Sequence, residues 1–197
     1  MKRSFFTLFL FLFSISHFSV MAQSIESDEV DSEGIRTTLG SLEIVRDFKD
    51  KVVFNVGLGA ITRYVDEFDF TKTFYYIRVK TVSLSPYEIK KGMILLLKTT
   101  NDEVIQLKAV EDFDAVIRDI HDGGGFVYSD YSTVAWYPIT EDELYKVCQG
   151  IKKIRQEHSR ATFDKEYKKD KIGNVIKLEY AQIKSALKTK KSITDGF

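Results

Sequence analysis

The chain has 197 residues, 44% of them hydrophobic, and carries 29 basic against 29 acidic side chains. That length supports one domain with a real core. The single cysteine, Cys148, excludes an internal disulfide, so the hydrophobic core must hold the fold unaided.

The N-terminus reads as an export signal. Lys2 and Arg3 precede an apolar run from Phe5 to Phe13, and Val20-Met21-Ala22 fits the small-residue rule for cleavage before Gln23. The run is shorter than the roughly 20 residues that a membrane span needs. No cysteine stands at the cleavage point, which argues against a lipid anchor. Residues 1–22 are therefore expected to be removed, leaving a periplasmic, surface or secreted protein without a membrane span. Export also makes nucleic acid a poor partner.

Residues 23–34 are acidic and short of apolar side chains, and are expected to form a disordered tether. A single domain is expected over 35–190, with a frayed tail at 191–197. Leu42, Ile44 and Phe48 suggest a first strand, and Asp47 to Lys51 a turn. Val52, Phe54 and Val56 continue in strand phase, with Gly57-Leu-Gly59 expected to break or bulge the strand. Phe68 to Leu84 is the longest strand candidate. Its apolar phase switches after Thr81, which calls for a bulge or a change of layer.

Gly92 to Val110 is the strongest β signal. Met93 to Lys98 is apolar on both faces, Thr99-Thr-Asn-Asp-Glu103 supplies a turn, and Ile105, Leu107 and Ala109 alternate with Gln106 and Lys108. Asp114 to Ile120 is compatible with a short helix, and Asp122-Gly-Gly-Gly125 with a tight or flexible loop. Phe126, Tyr128, Tyr131, Val134 and Trp136 then return as aromatic strands. Thr140-Glu-Asp-Glu143 is a capping box opening a helix at about 141–149, which Gly150 stops. Ile151 with Ile154, and Ala161 with Phe163, suggest two more strands. Ile172, Val175, Ile176, Tyr180, Ile183 and Leu187 form one stripe of a C-terminal helix at about 165–189, expected to lie on the Met93–Ala109 hairpin. Strands first and helices late give an α+β fold, a mainly antiparallel β-sheet or sandwich with both helices packed on it.

Chemistry is sparse. Cys148 shares a helical stripe with Leu144 and Val147, so it reads as a buried apolar group and not as a nucleophile activated by His158. No His-x-x-x-His or Cys-x-x-Cys pair suggests a metal, and Glu111, Asp112, Asp114, Asp119 and Asp122 match no calcium loop. No catalytic residue, metal site or cofactor is expected. Two aromatic clusters stand out: Phe68, Phe70, Phe74, Tyr75 and Tyr76, and then Phe126, Tyr128, Tyr131, Trp136 and Tyr137. Tyr128, Tyr131, Trp136 and Tyr137 are the candidate ligand-binding residues, because they adjoin the glycine loop. Residues 146–197 carry 14 Lys/Arg against 6 Asp/Glu, which reads as a solvated basic helix or a face for an anionic partner.

The hairpin Met93 to Ala109, Tyr137-Pro-Ile-Thr-Glu-Asp-Glu-Leu144, Ile151-Lys-Lys-Ile-Arg155 and Phe163-Asp-Lys-Glu-Tyr-Lys-Lys-Asp170 resemble small uncharacterised exported proteins of Bacteroides-type bacteria. The resemblance covers roughly residues 90–190. It implies export and a single β-rich domain with late helices, and carries over no functional residue. The expected function is an exported, non-enzymatic binding or interaction protein whose partner is another envelope protein or a glycan. One alternative is a hydrolase of envelope or dietary polymers using loop carboxylates such as Asp112 and Asp122. The other is a structural subunit docking through the basic C-terminal helix.

Overall fold

The computed structural model describes residues 25–45, 52–65, 70–124 and 126–189. The expected signal segment 1–22, Phe48, the Asp47–Lys51 turn and residues 191–197 lie outside them. In chain order the described elements are β1 (Ile25–Val30), β2 (Ile35–Gly40), β3 (Glu43–Ile44), β4 (Val53–Val65), β5 (Phe70–Ser83), β6 (Ile94–Thr99), β7 (Val104–Lys108), β8 (Val116–Gly123), β9 (Phe126–Ile139), α1 (Glu141–Cys148), β10 (Ile151–His158), β11 (Ala161–Glu166) and α2 (Ile172–Ala186).

The α+β architecture is as expected. One sheet has the order β1-β2-β4-β5-β9-β8, with β3 also paired to β4; the other has the order β11-β10-β6-β7. Both are antiparallel throughout. Alternation puts Val56, Leu58, Ile77, Val79, Ala135 and Tyr137 on the inner face of the first sheet. Leu95, Leu97, Ile105, Leu107 and Ile154 meet them from the second, and all are buried in one core. Among the described residues, no helix is long and apolar enough to cross a membrane.

The Met93–Ala109 hairpin forms where the sequence places it. Ile105 and Leu107 are buried between exposed neighbours in β7. In β6 one face is buried and the other half-buried. The capping box also forms, with Glu143 N donating to Thr140 Oγ1 at 3.3 Å and Thr140 N donating to Glu143 Oε2 at 3.0 Å.

Several expectations change. Residues 25–30, read as a tether, form β1 beside β2. The acidic residue Asp28 has a partner that local composition does not show. Arg36 is buried, and its Nε and Nη2 donate to the Asp28 carboxylate at 2.8 Å each. The same guanidinium donates to the carbonyls of Ala186 and Thr189 at 3.0 and 2.6 Å. Gly57 and Gly59 do not interrupt β4, whose register with β5 runs unbroken from Val53↔Val82 to Val65↔Phe70. A Cβ at Gly57 would stand 2.8 Å from the Ser41 carbonyl oxygen, so the missing side chain serves a close approach. Nor does β5 bulge after Thr81. Thr81 and Ser83 continue the buried row, their hydroxyls donating to Gln156 Oε1 and to the Ser85 carbonyl. A hydroxyl with a partner can occupy a core position that a hydropathy pattern assigns to an aliphatic.

Asp114–Ile120 contributes strand β8 and no helix. Its β-branched residues suit a strand, and Gly124 at φ 63° makes the tight turn into β9. The C-terminal helix begins at Ile172, because Ala161–Glu166 pairs with β10 as β11. That helix does not rest on the β6–β7 hairpin. It packs on β1, β2 and β4 and against α1. Tyr180 meets Tyr75 edge-to-face at 5.4 Å, and Gly173 lies against the Val147 carbonyl.

Candidate functional site

The site begins with a mismatch of strand lengths. β9 has 14 residues, but only Tyr131–Ile139 pairs with β5. From Phe126 to Asp130 its single neighbour is β8, so the β8–β9 ribbon extends past the sheet. With no third strand or helix over it among the described residues, this ribbon keeps most of its side chains in solvent. Val116, Ile117, Ile120, Phe126, Val127 and Tyr128 are half of the large exposed hydrophobics among the described residues, with Phe126 at 80% and Ile120 at 68%. Exposed apolar groups gathered in this way make the ribbon the candidate site of the molecule. β8 also ends the sheet, so the outward N–H and C=O groups of its backbone have no strand beside them among the described residues.

The two faces of the ribbon differ. Ile117, Ile120 and Val127 share one face with Asp122, which stands opposite Val127, and Ser129, opposite Ile120. The other carries Asp119, His121, Tyr128 and Asp130, as the ladder Asp119↔Asp130 and His121↔Tyr128 requires. His121 stacks on Tyr128 at 4.8 Å and 24°, and His121 Nε2 lies 3.1 Å from Asp130 Oδ2.

The four aromatic candidates separate. Tyr128 is exposed on the ribbon, and Tyr131 is half-buried at its root. Trp136 is half-buried on the outer face of the first sheet, 5.8 Å from Tyr76 and 5.6 Å from the Arg78 guanidinium carbon. Tyr137 is fully buried between the sheets, its hydroxyl accepting from Gln156 Nε2 at 3.0 Å, and burial pushes its pKa up. They form no common platform. In the first cluster Tyr75 is buried under Tyr180 and Phe74 is exposed beneath the Lys72 ammonium, while Phe68 lies outside the described residues.

The remaining candidates are structural. Burial raises the Cys148 thiol above its ordinary value, which favours the unreactive form. His158 is buried against Tyr87 and Phe163, and desolvation lowers its imidazole to about 4, leaving it neutral. The loop carboxylates do not converge. Asp112 accepts from Lys91 N at 2.8 Å and lies near Lys90 Nζ, whereas Asp122 sits near the tip of β8. The uneven charge along the chain has a fold-level explanation. Lys146 pairs with Glu103, Lys152 with Asp102 and Lys184 with Glu141, so basic residues of the last segment pair with acidic residues from before it.

Sequence reasoning missed Glu179, which interrupts the buried Ile172–Ile176–Ile183 stripe of α2 with a carboxyl group. Its Oε2 accepts from Leu58 N where β2 has ended, and burial raises its pKa to about 8. The available signals were Gly40 and Gly57, since a Cβ at Gly40 would stand 2.6 Å from Glu179 Cδ. Comparison of the chain with family models, curated proteins and solved structures finds no match.

Proposed function

We propose that this is an exported, non-enzymatic interaction protein that docks an extended, apolar polypeptide segment of a partner along the β8 edge. The observation that carries this reading is the gathering of exposed aliphatic side chains on a strand with an open edge. Such an edge offers backbone hydrogen bonds to an added strand, and flanking apolar positions select its side chains. A glycan fits less well. Sugars dock on flat aromatic platforms, whereas Tyr137 is buried, Trp136 packs on Arg78, and the ribbon offers mainly Ile and Val. Full burial of Ile117, Ile120 and Val127 would contribute at most about 4 to 9 kcal/mol before the entropic cost of association. The N-terminal apolar segment and small-residue cleavage pattern support export.

The test is site-specific photocrosslinking in envelope extract. A photoreactive residue at Ile120 should trap a discrete partner, and Ile117→Asp combined with Val127→Asp should abolish the adduct. The same group at exposed Tyr145 on α1 is the control. Equal trapping from both positions, or trapping that survives both aspartates, would refute the docking edge. An adduct of the chain with itself would replace the separate partner with a second copy.

A further inference from the structure

The polar face of the ribbon contains an arrangement that a docking edge alone does not need. The register of β8 with β9 slips between Ile117 and Asp119, at a bulge that leaves Arg118 unpaired in the ladder. Had Val116↔Ser132 and Ile117↔Tyr131 continued in phase, Arg118 would stand opposite Asp130, a favourable pair. The bulge instead sets Asp119 opposite Asp130 and brings His121 to the same face. Like charges directly across a ladder are destabilising. Arg118 Nε, 3.4 Å from Asp119 Oδ2, relieves that only from the side.

One ligand atom from each of Asp119, His121 and Asp130 lies within 4.8 Å of the other two. The 3.1 Å between His121 Nε2 and Asp130 Oδ2 suits two donors at about 2.0–2.2 Å from a shared ion. The Tyr128 ring packs against the imidazole and restrains its plane.

We propose that Asp119, His121 and Asp130 form a surface site for a first-row divalent cation of the zinc type, assembled by the β8 bulge. An imidazole donor beside two carboxylates favours zinc over calcium, which takes oxygen ligands almost exclusively. Three protein donors at an exposed position leave coordination open for water or for a donor brought by another molecule. Metal binding goes beyond the docking proposal, since it needs no partner and can be measured on the chain alone.

The experiment is isothermal titration of the full chain, stripped with chelator, against zinc chloride and separately calcium chloride at neutral pH. One equivalent of zinc should bind more tightly than calcium. His121→Ala and Asp130→Asn should each weaken zinc binding by at least about tenfold, and Asp164→Asn, at an exposed ion pair on β11, should leave it unchanged. Thermal melts without metal should show every variant folded, with Asp130→Asn melting no lower than the wild type because it removes the like charge opposite Asp119. Absence of zinc binding, calcium binding tighter than zinc, or zinc binding that survives both ribbon substitutions would each overturn the site.

Discussion

Replacing Glu179 with Gln should remove a distinct fall in stability between pH 6.5 and 8. The carboxyl group is fully buried on α2; Oε2 accepts from Leu58 N, and Oε1 finds no partner among the described residues. Burial dominates its shift from 4.5 to about 8. The Leu58 N–H and the Arg78 charge oppose that shift, while Glu43 and Glu26 add to it. Arg78 is only partly available, because its Nη1 also donates to the Gly40 carbonyl at 2.7 Å and to Glu26 at 3.1 Å. The native protein therefore keeps a proton at Glu179 that the unfolded chain releases near pH 4.5. The stabilisation is fully present below about 4.5 and is lost as pH rises through about 8.

His158 runs the other way. Its native pKa is depressed from 6.5 to about 4, so stability grows with pH across that interval and the two effects partly cancel there. Above 6.5 the Glu179 effect stands alone. One proton over this window, at about 1.4 kcal/mol per pH unit, gives a loss of roughly 2 kcal/mol. Urea unfolding of the wild type and Glu179→Gln at pH 6.5, 7.2 and 8 measures it. The wild type should lose that amount and the variant should stay nearly flat. An equal fall in both proteins, or a flat wild type, would refute the assignment of a buried neutral carboxyl.

Other expectations follow from packing and processing. Gly173→Ala should destabilise by about 1 to 3 kcal/mol despite the better helix propensity of alanine, because the new Cβ would stand 2.6 Å from the Val147 carbonyl oxygen and 2.8 Å from Gly150 Cα; a chemical melt of equal or higher stability would contradict this. Leu107→Asp places a charge in the β7 row of the core and should abolish the cooperative thermal transition; an unchanged melt would make the β6–β7 hairpin peripheral. Mass spectrometry of the exported protein should find Gln23 at the N-terminus, and retention of Met1 would exclude cleavage.

Local patterns were legible where side chains report their own surroundings. The Ile105–Leu107 alternation, the Thr140–Glu143 box and the Ile172–Ile176–Ile183 stripe needed no knowledge of distant partners. What hydropathy concealed were polar groups satisfied from far along the chain. Asp28 looked like part of a solvated tether until paired with Arg36, and Thr81 looked like a phase change until Gln156 met it. Packing between elements was equally hidden. The apolar stripe of α2 announced a helix in need of a surface, but Gly40 and Gly57, which admit Glu179, decided which surface. On the ribbon, Val116, Ile117 and Ile120 fall in the Asp114–Ile120 stretch whose pattern is compatible with a short helix. Their exposure follows from the mismatch between β9 and β5, a property of strand lengths that residue pattern does not carry.

The Arg36 guanidinium ties the first strands to the end of α2 and the residues just after it, across 150 and 153 residues to Ala186 and Thr189. A chain emerging from its N-terminus thus makes β1 and β2 long before the carbonyls that complete them exist. Until those carbonyls arrive, Asp28 neutralises the charge but the guanidinium N–H groups aimed at Ala186 and Thr189 have only water to bond, and burying them is penalised. The opening strands are held provisional until the closing helix docks. Such non-local closure slows folding and delays commitment to the native sheet until nearly the whole chain is present.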